Sequence, residues 1–339
     1  MKGVLIVNLG SPNSTSVKDV KNYLDEFLMD SRVIDLPYVT RALLVKGIIL
    51  NTRPKQSAEA YSKVWTDKGS PLIVISEKFT EKVKARVEVP VALAMRYGNP
   101  SIETGIQELV AQGVDDIFLM PMYPQYAMAT TETIIVLAEK ILREQFPKVK
   151  MTSLAPFYNK QEYIDLLSKS IQEQLDQQDF DHILFSYHGV PERHIKNSDP
   201  TGNHCKLNGE CCNHSNPEAH AVCYRHQCYE TTKGVVEKLN WKPGFYSTSF
   251  QSRLGKDPWL EPYTDETIND RAQNGIKKLA VVTPAFVADC LETIEEIGME
   301  AKEEFEENTG EVFKTIPCLN DRDDWADLTA KWIQEWISN

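Results

Sequence analysis

The stretch Leu279-Ala280-Val281-Val282-Thr283-Pro284-Ala285-Phe286, continued by Leu291-Glu292-Thr293-Ile294, reads as a short apolar strand, a proline turn and the start of a helix. An echo of it lies upstream, where Ile117-Phe118-Leu119-Met120 leads through Tyr123-Pro124-Gln125 into Thr131-Glu132-Thr133-Ile134. Coincidence among common strand-and-helix patterns would account for the echo as well as two halves built on one plan. Further apolar, β-branched runs at 4–7, 91–95, 182–185 and 245–250 alternate with helical patterns. This alternation predicts βαβ units, hence an α/β fold with parallel sheets. Gly and Pro turns after several runs place loops at the carboxyl ends of strands, where open α/β sheets bind ligands.

With 339 residues, 42% hydrophobic and 25% charged, the chain has the balance of an ordinary globular protein. It is long enough for one large core or two halves of about 150 residues. A formal charge of -12 argues against a nucleic-acid footprint over the whole surface. The opening Met1-Lys2-Gly3-Val4-Leu5-Ile6-Val7-Asn8-Leu9-Gly10 enters a strand pattern at once and lacks the form of a secretory signal, which predicts a cytoplasmic protein. The most apolar stretch, 42–50, contains Lys46 and falls far short of the roughly 20 residues that span a bilayer. The wider segment 24–50 mixes apolar residues with Arg32, Arg41 and Lys46, as an interfacial helix would, or a segment packed into the core. Neither a dinucleotide glycine fingerprint nor a Walker sequence is present in the chain.

Two stretches carry candidate chemistry. In Phe185-Ser186-Tyr187-His188-Gly189-Val190-Pro191 an apolar strand delivers His188 into a turn. An imidazole, with its ordinary pKa of about 6.5, suits proton transfer near neutrality, although a structural histidine capping a loop has the same look. In Ala288-Asp289-Cys290-Leu291-Glu292-Thr293-Ile294-Glu295-Glu296, helical spacing would set Asp289, Glu292 and Glu296 within about 60° of one face. Such a carboxylate stripe offers hard oxygens to a divalent cation, or else simply faces water.

Of seven cysteines, Cys205, Cys211, Cys212, Cys223 and Cys228 crowd one short stretch interleaved with His204, His214, His220 and His226, while Cys290 and Cys318 stand apart. In a reducing compartment this density reads as metal chemistry, either structural zinc or an iron-sulfur centre. Four thiolates suffice for a cluster, so one cysteine is surplus.

The strand-borne Ser186 to Pro191 sequence and the Ala288 to Glu296 helix together resemble the active-site motifs of the ferrochelatases. Ser249-Phe250-Gln251-Ser252-Arg253, Pro258-Trp259-Leu260, Tyr263-Thr264-Asp265-Glu266, Val7-Asn8-Leu9-Gly10-Ser11-Pro12, Gly69-Ser70-Pro71, Arg96-Tyr97-Gly98 and Tyr123-Pro124-Gln125-Tyr126 extend the likeness over nearly the whole chain in order. The resemblance implies a chelatase-like fold of two Rossmann-like halves, 1–150 and 151–339, each a parallel sheet flanked by helices, with a porphyrin in the cleft between them. It implies ferrous iron as the second substrate, inserted into protoporphyrin IX to give haem. His188 would accept pyrrole protons and, with Glu292, meet the iron; Glu292, Glu296 and Asp289 would form the opposing polar path. Leu9, Arg96, Tyr97, Tyr123 and Trp259 would line the pocket, and a lip around 24–50 would meet the membrane surface peripherally.

Some microbial members of that family hold a [2Fe-2S] cluster in a cysteine-rich insertion, which here would occupy about 200–228, with zinc as the alternative. Cys228-Tyr229-Glu230-Thr231-Thr232 resembles members that lack the insertion, which would make Cys228 the surplus thiol. Leu9 stands where coproporphyrin-using relatives often carry tyrosine, which favours protoporphyrin. The competing readings are coproporphyrin as substrate, a chelatase for cobalt or nickel, and a porphyrin carrier without turnover.

Overall fold

The computed structural model describes residues 1–339 apart from Gln177, Leu254 and Lys256. Its backbone divides into two units. One comprises 1–122, 128–155 and 320–339; the other comprises 123–127 and 156–319.

The first unit carries a four-stranded parallel sheet: β1 (Lys2–Gly10), β2 (Val91–Tyr97), β3 (Asp116–Pro121) and β4 (Lys150–Ser153), in the order β2-β1-β3-β4. The second repeats the plan with β5 (His182–His188), β6 (Tyr246–Gln251), β7 (Lys278–Val282) and β8 (Val312–Ile316), in the order β6-β5-β7-β8. Two parallel sheets flanked by helices are the predicted fold class. The central strands are buried along their length, as sheets covered on both faces must be. Val4, Leu5, Ile6 and Val7 lie in one core and Ile183, Leu184 and Phe185 in the other, each such side chain contributing about 1.5–3 kcal/mol by leaving water.

The echo seen in the sequence recurs in structure. Leu9-Gly10-Ser11-Pro12 ends β1 as His188-Gly189-Val190-Pro191 ends β5. Met95 N donates to Pro100 O at 2.6 Å beyond β2, and Phe250 N to Pro262 O at 2.8 Å beyond β6. The two Glu-Thr-Ile segments both open on π-helical turns, Met128–Glu132 and Glu292–Ala301.

The boundary read from chain order, 150/151, leaves out a return of the chain. The last helix, Asp323–Ser338, belongs with the first unit. Trp325 stacks on Phe79 with ring centroids 5.6 Å apart and Trp336 on Phe118 at 5.1 Å. Lys2 Nζ donates to Trp336 O at 2.9 Å, and Arg86 pairs with Asp323 at 3.0 Å. Aromatic burial of this kind outweighs sequence proximity.

Candidate active site and cysteine-rich segment

His188 is the last residue of β5, with its backbone opposite Gln251 at the end of β6. Its Nδ1 lies 2.6 Å from Gly189 O, and its own carbonyl accepts from Tyr224 Oη at 2.8 Å. Facing that carbonyl, Nδ1 carries the hydrogen, so in the neutral form of the ring Nε2 keeps the lone pair and is the proton-accepting atom. Gly189 is required by close approach, since a Cβ there would lie 2.8 Å from Gln251 O and 3.3 Å from Trp259 Cε3. The strap 258–260 is tied to the same turn, through Leu260 N to Val190 O at 3.0 Å and Glu192 N to Pro258 O at 3.0 Å. It thereby holds Trp259, half-buried, beside the histidine turn.

The carboxylates differ from the predicted stripe. Asp289 precedes the helix instead of lying on it, and its Oδ1 accepts from Thr293 Oγ1 at 2.9 Å and from Cys318 N at 3.3 Å. The helix itself is π-helical over Glu292–Ala301, and its i→i+5 bonding turns less per residue than the α-helix that the spacing assumed. Ile297 and Ala301 from this helix pack with Leu184, Leu279, Val281 and Phe305, which locks its inner face to the sheet.

Glu296 accepts from Gln251 Nε2 at 3.3 Å and from the Ser252 hydroxyl. Burial pushes its carboxyl above the ordinary range. The Ser252 hydrogen bond and the charge of His188 act against that push, and Glu292 adds to it. His188 and Glu292 therefore both lie within electrostatic reach of Glu296. Gln251 also donates to Glu292 O at 3.3 Å and accepts from the buried Ser186 hydroxyl at 2.8 Å. Outward from Glu296, a pocket of about 360 Å³ is lined by Ser252, Arg253, Asp265, Glu300 and Glu304.

Gln251, Ser252 and Cys290 were given no role by the sequence reading. Gln251 and Ser252 sit in a motif whose likeness to the family was visible, but the motif says nothing of which carboxylate they hold. Cys290 is buried beside Glu292, and burial, reinforced by that carboxylate, pushes the thiol well up.

Of the predicted pocket residues, Leu9 is half-buried at the end of β1 and Tyr123 is buried. Arg96 and Tyr97 end β2 and both bond Asp30: the Arg96 guanidinium through Nη2, and Tyr97 Oη at 2.9 Å. Thr133 Oγ1 bonds the same carboxylate, and Arg32 N donates to its Oδ1 at 2.8 Å. Burial alone would raise Asp30, yet the Thr133 and Arg32 hydrogen bonds and the Arg96 charge hold it below its ordinary value.

In 24–50, Tyr38, Val39, Leu43 and Ile48 are 66%, 68%, 69% and 59% exposed along the helix Tyr38–Leu44 and the π-turn Val45–Ile49. The basic residues expected to face headgroups are largely engaged elsewhere. Arg41 is buried, with Nη1 donating to Ile34 O and Leu36 O at 3.1 and 2.7 Å. Arg32 pairs with Glu132 at 2.9 Å, and Lys46 approaches Asp25 at 3.8 Å. Among the described residues, no helix is long and apolar enough to cross a membrane.

In the cysteine-rich segment Cys205 and Cys212 both lie close enough to Cys223 to shift its thiol, and Cys211 acts on Cys205 by charge. Cys212 Sγ also accepts from Arg225 Nη1 at 3.5 Å. Cys228 is fully buried in the helix Tyr224–Lys238 beside Tyr224, within electrostatic reach of Cys223 and Cys212. The donor chemistry of these gathered thiols fits a thiophilic centre. As placed, however, the described residues include no group of three or more His, Cys, Asp or Glu positioned to hold a metal ion.

Residues 1–337 match the ferrochelatase family model. The chain belongs to the ferrochelatase family. It is 51% identical to a ferrochelatase of Pseudomonas fluorescens strain Pf0-1 over 96% of each chain. It is 47% identical to a ferrochelatase of Stutzerimonas stutzeri strain A1501 over 96% of this chain and 95% of that one. Among solved structures, Bacillus subtilis SirB with Fe3+ superposes with a TM-score of 0.54 at 13% identity, covering 98% of this chain and 94% of that one. The sirohydrochlorin chelatase SirB of Bacillus subtilis subspecies spizizenii, in complex with cobalt, gives 0.53 at 12% identity over 97% and 93%. At that identity these structures speak for the shared fold. Family membership makes the protein a metal chelatase that inserts iron into a porphyrin in haem biosynthesis.

Proposed function

We propose that His188 takes the pyrrole protons of protoporphyrin IX while Glu292 and Glu296 conduct ferrous iron to the ring from the pocket beyond Glu296. The observation that carries this reading is that Gln251, paired on the backbone with His188, donates to both Glu296 Oε2 and Glu292 O at 3.3 Å, so that the imidazole and the two carboxylates are built around one strand end. Iron displaces two N-H protons on entering the ring, so the site must both hold a cation and accept protons. The free Nε2 of His188 suits the second task and clustered carboxylates the first. Asp289 supports the helix start, and Trp259, Leu9 and Tyr123 offer apolar walls to the tetrapyrrole. Arg96 and Tyr97 are carried over as substrate contacts on the family resemblance alone.

Anaerobic mixing of the protein with protoporphyrin and Fe2+ is expected to give the haem spectrum. His188→Ala is expected to bind porphyrin, seen by fluorescence quenching, without forming haem. Wild-type binding without turnover would mean a carrier. Competing protoporphyrin with coproporphyrin in the same assay tests the choice of ring.

The gathered thiols support a [2Fe-2S] cluster held by Cys205, Cys211, Cys212 and Cys223, which would cross-link the insertion and supply a one-electron redox centre. The exposed Tyr38, Val39, Leu43 and Ile48 support peripheral contact of a cytoplasmic enzyme with a membrane, driven by apolar burial more than by basic charge. Absence of the protein from floated liposomes would refute that contact.

A further inference from the structure

We propose that His204 and His220 form a binding site for a divalent transition cation of the zinc class that uses none of the cysteine thiols and is separate from the iron path. Their Nε2 atoms lie 3.2 Å apart, with ring centroids 5.1 Å apart and planes inclined by 68°. Two imidazole nitrogens on one ion, each at about 2.0–2.1 Å, stand about 2.9–3.4 Å apart for ligand angles of 90–109°. Cys211 O lies 3.4 Å from His220 Nε2 and supplies a third donor at similar separation. Two N-H groups could not meet head-on at 3.2 Å, so at least one nitrogen presents a lone pair there.

Both imidazoles stand on pinned backbone. Asp199 Oδ2 accepts from His204 N at 2.8 Å and from Cys205 N at 2.9 Å. His220 closes the helix Pro217–His220, its carbonyl held by Gln227 Nε2 at 3.0 Å and its ring stacked on His226 at 3.6 Å. With two side chains and one main-chain oxygen the site is open, and water would complete the ion's coordination. An ion there would join the arm after Asp199 to the helix before Cys223.

The test is titration of the purified protein with Co2+ under argon, read by visible absorption. One equivalent is expected to give d-d bands without a sulfur-to-metal charge-transfer band. His204→Asn and His220→Asn, with folding checked by circular dichroism, should each weaken that binding by at least about 100-fold, beyond what loss of an outer-shell partner costs. His214→Asn keeps both imidazoles and every thiol and should retain the band. A charge-transfer band, binding indifferent to both histidines, or no binding at all would overturn the site. In that last case the pair is only an N-H···N hydrogen bond.

Discussion

Gln251 Nε2 lies 3.3 Å from Glu296 Oε2, while the backbone of Gln251 pairs with that of His188. One residue thereby joins the strand end that presents the imidazole to the helix that presents the carboxylates. A hydrogen bond to a charged group contributes about 1.5–3 kcal/mol, or roughly 10–100-fold in rate if realised in the transition state. Gln251→Ala is therefore expected to lower kcat about 10–100-fold with a smaller change in KM for porphyrin. Equal kcat in a folded variant would show that Glu296 needs no such support.

Gly189→Ala puts a methyl 2.8 Å from Gln251 O and 3.3 Å from the Trp259 ring. Backbone cannot yield as a flexible side chain can, so the turn must shift. The expected loss is about 1–3 kcal/mol of stability, accompanied by reduced haem formation because His188 is the preceding residue. Denaturant melts and steady-state rates on the same preparation check both effects.

Much of this site was legible because its residues fall in short local motifs. The runs at 4–7, 91–95, 117–120, 182–185, 245–250 and 279–283 mark six strands by their short apolar or β-branched character. The edge strands β4 and β8 escaped, since Lys150-Met151-Thr152-Ser153 and Val312-Phe313-Lys314-Thr315-Ile316 are half-exposed along most of their length and carry polar residues accordingly. The π-helical turn at Glu292 was invisible because the same residues also satisfy an α-helical period. Asp30 and Arg96 could not be paired from sequence, being 66 residues apart, and nothing local to Arg41 showed that it turns inward.

The Asp30 cluster gives a stability prediction with a pH signature. Its carboxyl is held low by Thr133, Arg32 and Arg96 against the push of burial. The stabilisation is thus present above the ordinary carboxylate pKa of about 3.9 and is lost as pH falls through the depressed folded value. Asp30→Asn leaves Arg96 without its ion partner and should cost about 3 kcal/mol or more near neutrality. Thermal melts of wild type and variant should converge as pH drops toward 3; a gap that stays constant would assign the loss to packing alone.

His182 titrates in the opposite sense to a paired histidine. It is buried at the start of β5, with Nδ1 at 3.1 Å from Gly244 O and Nε2 at 2.7 Å from Ser247 Oγ. Burial, helped by the charge of Arg271, pushes its pKa down to about 4. Between that value and the unfolded value of about 6.5, the unfolded chain binds the extra proton and the folded chain does not. Stability must fall as pH drops across this window. His182→Gln, which can keep a hydrogen bond but cannot titrate, should flatten this part of the Tm-against-pH curve. An unchanged slope would place the acid sensitivity elsewhere.

The cysteines can be sorted by one pair of substitutions. Cys223 is the hub, its thiol influenced by both Cys205 and Cys212, whereas Cys228 is enclosed by the helix and Tyr224. If the thiols hold a [2Fe-2S] cluster, anaerobically purified wild type is brown with two irons and two sulfides per chain. Cys223→Ser should then lose the visible absorption, because a weakly donating hydroxyl replaces one of four thiolates. Cys228→Ser should keep the colour and lose stability instead, since it buries a hydroxyl in place of a thiol. Colour lost from Cys228→Ser and kept in Cys223→Ser would reverse the assignment. A colourless wild type carrying one zinc would replace the cluster with a structural ion on the same sulfurs.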